Sequence, residues 1–184
     1  MIRGSIGGGL VLAVSPKVPR RWGCSIMPWE RFPKVDINRD APAIASAEAF
    51  IGAPLDVVWS VLTNIAEWSR WNPDVSRVEL RGPLAPGTEF RWKSGGASIV
   101  STLQEIDPKR RIAWTGRTLS IRAAHVWTFT EQEGGVLART EESFDGLVVR
   151  LFAGPMRGML ASSLEKGVNA LRTECERQAK AGKA

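Results

Sequence analysis

RIAWTGRTLSIRAAHVWTFTEQEGGVLARTEESFDG, residues 111–146, decides the fold of this chain. Apolar and polar residues alternate along 111–117, 122–130 and 136–144, the period-two signature of strands with one buried face, and Gly134-Gly135 supplies a tight turn between the last two. Working back toward the N-terminus, 98–106, 88–93 and 76–81 read the same way. They are separated by Asp107-Pro108, Ser94-Gly95-Gly96 and the stretch from Gly82-Pro83 to Pro86-Gly87. Turn formers at such short spacing indicate an antiparallel meander running from Val75 to Gly146.

Helical signals flank the meander. Upstream, 44–51 reads as a first strand closed by Gly52, and Ala53-Pro54 then opens a helix whose apolar face is Val57, Val58, Val61, Leu62 and Ile65. A second short helix, from Glu67 to Pro73, carries Trp68 and Trp71 and ends at the proline. Downstream of Asp145-Gly146, residues 147 to about 180 return to helical periodicity. Phe152, Met156, Met159, Leu160, Leu164, Val168, Leu171 and Cys175 form one stripe, and Arg150, Arg157, Lys166, Arg172 and Arg177 the opposite face. Gly154-Pro155 is expected to kink this helix or delay its regular start.

The 184 residues suffice for one domain with a substantial core. The net charge of +6 is unevenly spread: residues 1–39 hold seven basic against two acidic side chains, leaving 18 basic against 17 acidic elsewhere. Basicity is thus a property of the leader, and no nucleic-acid partner is expected for the domain. Residues 1–40 read as a flexible basic leader and 41–181 as the folded domain. Gly7, Gly8 and Gly9 break the leader's weak apolar stretch and no good cleavage site follows, which argues for a cytoplasmic protein; Met27 is an alternative start. The longest leader run, Leu10 to Val14, falls well short of the roughly 18–20 apolar residues that span a bilayer, so no integral membrane segment is expected. Cys24 and Cys175 show no disulfide or zinc spacing, and Cys175 reads as a small buried hydrophobe. No P-loop, dinucleotide fingerprint or nucleophile elbow is present, and neither a metal nor a cofactor is expected.

Strand parity sorts the candidate site residues. Phe90 and Trp92 share one face, as do Ile112 and Trp114, and His125, Trp127 and Phe129; the opposite set, Glu89, Arg91, Lys93, Arg117 and Arg139, belongs in water. On the last strand Glu142 falls with the less charged set of Ala138, Thr140 and Phe144, and Glu141 with Arg139. Each tryptophan either fills the core or lines an apolar cavity. His125, the sole histidine, is either a hydrogen-bonded core imidazole or a ligand-contacting or proton-shuttling group, and Glu142 facing inward would require a partner.

Several segments together resemble a known superfamily: Ala53-Pro54-Leu55-Asp56-Val57-Val58-Trp59, Trp68-Ser69-Arg70-Trp71-Asn72-Pro73, Gly82 to Thr88, Asp107-Pro108 through Gly116, His125-Val126-Trp127, and Thr140 to Gly146. Over about residues 43–178 the chain is similar to the START-like helix-grip (SRPBCC) superfamily, in particular its polyketide cyclase/dehydrase and lipid-transport branch. The resemblance implies an α+β helix-grip fold. In it a seven-stranded curved antiparallel sheet wraps around a long C-terminal helix, with two short helices after the first strand and a ligand cavity between sheet and helix.

The expected function is binding of a small hydrophobic or aromatic, lipid- or polyketide-like molecule. The expected contacts are Phe90, Trp92, Trp114, Trp127, Phe129, Phe152, Met156, Met159 and Leu160, with His125 and Glu142 orienting the polar end. Two alternatives stand beside it: a cyclase, dehydratase or lyase type of enzyme using His125 and Glu142, and a protein-interaction module presenting Trp68 and Trp71. The oligomeric state, monomer or dimer, is left open.

Overall fold

A computed structural model describes residues 34–118 and 120–182. Strand β1 (Ala43–Ile51) leads into helix α1 (Leu55–Thr63), a 3-10 turn (Ile65–Glu67) and helix α2 (Trp68–Trp71). Six strands follow: β2 (Val75–Leu80), β3 (Glu89–Ser94), β4 (Ala97–Asp107), β5 (Arg111–Arg117), β6 (Arg122–Gln132) and β7 (Gly135–Asp145). Helices α3 (Leu147–Leu151) and α4 (Ala153–Ala181) close the chain. All pairings are antiparallel, in the order β1-β7-β6-β5-β4-β3-β2. This is the helix-grip architecture, with seven strands and two short helices after the first.

Each hairpin is followed by the next, so only β1 is out of sequence, and it pairs with β7. The core lies between the sheet's inner face and the helices, with Val58, Val61 and Leu62 of α1 and Val168, Leu171 and Cys175 of α4 meeting Ile51, Phe90, Leu103, Ile112, Val136 and Ala138. Two bulges bend the sheet, one in β2 between Val75 and Arg77 and one in β4 between Leu103 and Glu105. The β4 bulge changes parity, so Leu103 before it and Ile106 after it both reach the same core. Gly146 ends β7 at φ 140°, where a side chain would strike the Ser120 carbonyl.

The expected long C-terminal helix is α4, and its regular start is delayed by a break at Phe152 (φ −123°, ψ 39°); Gly154 and Pro155 fall in its first turn, where a missing N–H costs nothing. Two expectations are corrected. The apolar stripe is buried only from Leu160 onward: Phe152 is 57% and Met159 53% exposed, and Met156 is half-buried. The sheet residues opposite that end of α4 are too small to cover it, as described below. Finally, residues 35–40, expected in the leader, strap the sheet's outer face. Ile37 is buried against Ala113 and Val126, the Asn38 N–H donates to Ser143 Oγ (3.0 Å), and Arg111, ion-paired with Glu105, donates to the Val35 carbonyl (2.7 Å). The reading of the rest of the leader lies outside the described residues.

Candidate functional site

The site follows from the registers of β4 to β7, which align inward-facing side chains in rows across the sheet. One row runs Leu103, Trp114, His125, Glu142. The row on one side of it holds Ile112, Trp127 and Thr140; the row on the other holds Ser101, Gly116, Ala123 and Phe144. The aromatic rows fill space. Trp114 and His125 lie with ring centroids 4.6 Å apart, His125 stacks on Trp127 at 6.0 Å, and Trp127 on Phe129 at 6.4 Å. Trp68 of α2 presses edge-on against Phe90 and Trp92 and donates its indole N–H to the Leu62 carbonyl (2.7 Å). The row of small residues leaves space: beneath Met159, Leu160 and Ser163 of α4 it opens a cavity of about 440 Å³. Ala97, Ile99, Ile121, Ala123 and Phe144 make its apolar walls, and the basic side chains of Arg117 and Lys166 stand at its rim.

Beside it lies a chamber of about 60 Å³, walled by Trp68, Trp71, Trp127, His125, Leu164 and Gly167 among others. Cavity and chamber share Asp74, Trp92, Ser94, Trp114, Glu142 and Ser163, so they are adjoining parts of one hollow. His125 stands at the junction row. It is 7% exposed; its Nε2 lies 2.7 Å from Thr140 Oγ1, and its Nδ1 lies 3.4 Å from Glu142 Oε1 without the alignment of a hydrogen bond. The neighbouring Glu141 points to the opposite face. There burial would raise its carboxyl, but hydrogen bonds and charge from Arg139 and Arg39 outweigh burial and hold it below the ordinary range.

The structure brings Trp92, Trp114, His125, Trp127, Glu142, Met159 and Leu160 to the hollow. Phe90 and Phe129 share the inner face but pack into the solid core, whereas Phe152 and Met156 line neither space. Ser101, Gly116 and Ala123 were missed; their signal in the sequence is small size at inward parity. Trp68, expected as part of an exposed aromatic patch, is 4% exposed and lines the chamber, while Trp71 is half-buried beside it. Among the described residues no group of three or more His, Cys, Asp or Glu side chains is placed to hold a metal ion, and no helix is long and apolar enough to cross a membrane.

A curved sheet gripping a helix over an internal hollow defines the helix-grip class. Within it, residues 42–176 match the family described as Polyketide cyclase / dehydrase and lipid transport, and the chain belongs to that family. Among solved structures it is similar to the hypothetical protein jhp0584 from Helicobacter pylori, at 18% identity and a TM-score of 0.69, over 79% of this chain and 95% of that one. It is also similar to the Zhui aromatase/cyclase from Streptomyces sp. R1128, at 20% identity and a TM-score of 0.62, over 76% and 96%. A third likeness, to the di-domain ARO/CYC BexL, has 21% identity and a TM-score of 0.59 and covers 74% of this chain and half of that one. At these identities the likeness is one of fold. No curated protein matches the sequence.

Proposed function

We propose that this protein binds a small apolar molecule in the hollow between β3–β7 and α4. The observation that carries the proposal is the cavity of about 440 Å³, walled by apolar side chains and opening where Ser101, Gly116 and Ala123 decline to fill the sheet's inner face. Natural cores leave few voids larger than a water molecule, so an apolar space of this size is a feature needing an occupant. Burying an apolar guest yields about 25 cal/mol per Å² removed from water, less the cost of immobilising it. The family description supports carriage of an apolar molecule and cyclisation chemistry alike.

A second reading has one observation in its favour: His125 and Glu142, an acid-base pair by residue type, meet at 3.4 Å where cavity and chamber join. In that reading His125 moves a proton on a bound polyketide-like substrate and Glu142 steadies the imidazole. His125→Gln separates the two. A binder changes its affinity for an apolar probe, measured by calorimetry, only modestly. An enzyme loses turnover by about 10²- to 10⁴-fold with its affinity retained.

A further inference from the structure

We propose that the smaller chamber recognises a neutral hydroxyl at the end of the apolar ligand. The inference rests on the cavity reading above and names the ligand class. Among the described residues, three buried side-chain nitrogens have no hydrogen-bond partner in the protein: Trp71 Nε1, Trp127 Nε1 and His125 Nδ1. The three residues that carry them line the same chamber. Trp127 is 5% and His125 7% exposed, so bulk water does not satisfy them. Three polar groups nearby are paired: Trp68 Nε1 donates to the Leu62 carbonyl, Trp92 Nε1 donates to Ser101 Oγ at 3.0 Å, and His125 Nε2 meets Thr140. Buried polar atoms are paired as a rule, and their concentration around one small space marks a place where a partner from outside the chain is expected.

The chemistry of the walls selects that partner. An indole N–H can only donate, so the group entering the chamber must accept. Glu142 and Asp74 also line the chamber, and their carboxyl oxygens offer acceptors to a donor on the guest, whereas an incoming carboxylate or phosphate would bring only further acceptor oxygens. An ammonium group would suit the carboxylates but cannot accept from the indoles. A hydroxyl does both, accepting from Trp71 or Trp127 while donating to Glu142. The chamber, at about 60 Å³, holds the end of a molecule, and the apolar remainder lies in the adjoining cavity of about 440 Å³.

Calorimetric titration with naphthalene, 2-naphthol and 2-naphthoate tests this. The full chain is expected to bind 2-naphthol about 10-fold more tightly than naphthalene, the worth of roughly one net hydrogen bond, and 2-naphthoate more weakly than 2-naphthol. Trp71→Phe and Trp127→Phe should each shrink the naphthol-to-naphthalene affinity ratio by about 3- to 10-fold. Trp71 is only half-buried, so Trp71→Phe keeps the test available should Trp127→Phe fail to fold. Equal affinity for naphthalene and 2-naphthol, or a ratio unmoved by both substitutions, overturns the hydroxyl assignment while leaving the cavity reading in place. Failure of all three probes to bind overturns the cavity reading itself.

Discussion

Thr140→Val removes the one hydrogen bond that the His125 ring makes among the described residues. Thr140 is fully buried and His125 nearly so, and the Nε2 to Oγ1 distance is 2.7 Å. Valine keeps the shape of threonine but leaves Nε2 without a partner beside an Nδ1 that already lacks one. Stranding a buried polar atom costs about 1–3 kcal/mol. For a chain of this size, each kcal/mol lowers the melting temperature by about 2–4 °C, so a fall of about 2–12 °C is expected. The cost should vanish when the imidazole goes too, because replacing both partners by apolar groups of similar shape is nearly neutral. In a His125→Leu background, Thr140→Val should therefore change stability by less than about 0.5 kcal/mol, giving a coupling energy of about 1 kcal/mol or more in urea unfolding. Thr140→Val costing the same in both backgrounds, within about 0.5 kcal/mol, would refute the claim that Thr140 holds the ring in place.

Three further outcomes are expected. Gly135→Ala would drive a methyl into the Ile51 carbonyl and the Phe50 ring across the β1–β7 pairing and should destabilise by about 1–3 kcal/mol, while Gly158→Ala, in open space on α4, should stabilise by up to about 1 kcal/mol in the same urea assay. Burial, with the charges of Glu174 and Glu176, pushes the Cys175 thiol up to about 12, so iodoacetamide at pH 8.5 should leave the Cys175 peptide unmodified in the native protein and label it readily in urea, as read by mass mapping. Glu141 titrates below its ordinary value of 4.5 in the folded state; the unfolded chain thus takes up its proton first as pH falls, and the stability the pairing contributes is present above about pH 4.5 and lost below it. Urea midpoints of the unmodified protein and Glu141→Gln should accordingly differ at pH 7 and converge toward pH 3.

The parity reading of β5, β6 and β7 succeeds because those strands pair without a bulge, so that alternation alone fixes which side chains face α4. Trp114, His125 and Glu142 fall on one row, something alternation cannot reveal, because the row depends on hairpin registers set by the backbone hydrogen bond from Thr118 to Ile121 and by the turn at Gly134. Phe152 and Met156 mislead because an amphipathic stripe shows which face of a helix is apolar but not how far the opposing sheet reaches. A ligand cavity was expected from the resemblance, but its place on the sheet was not legible, for a related reason. A void is recorded by what is small, and Ser101, Gly116 and Ala123 carry no pattern of their own until the registers set them side by side. The strap at residues 35–40 depends on single anchors, Ile37 and Asn38, too few to make a periodicity.

Native mass spectrometry of the protein purified without denaturation, beside its Ala123→Phe variant, tests the occupied cavity most directly. Ala123 faces the open space, so the added ring should fold into it and displace the guest. The account predicts a small apolar molecule retained by the unmodified protein, or an added one such as 2-naphthol, and its absence from the folded variant. Equal occupancy of both proteins would place the guest elsewhere and contradict it, as would a native protein that takes up no apolar molecule at any concentration tried.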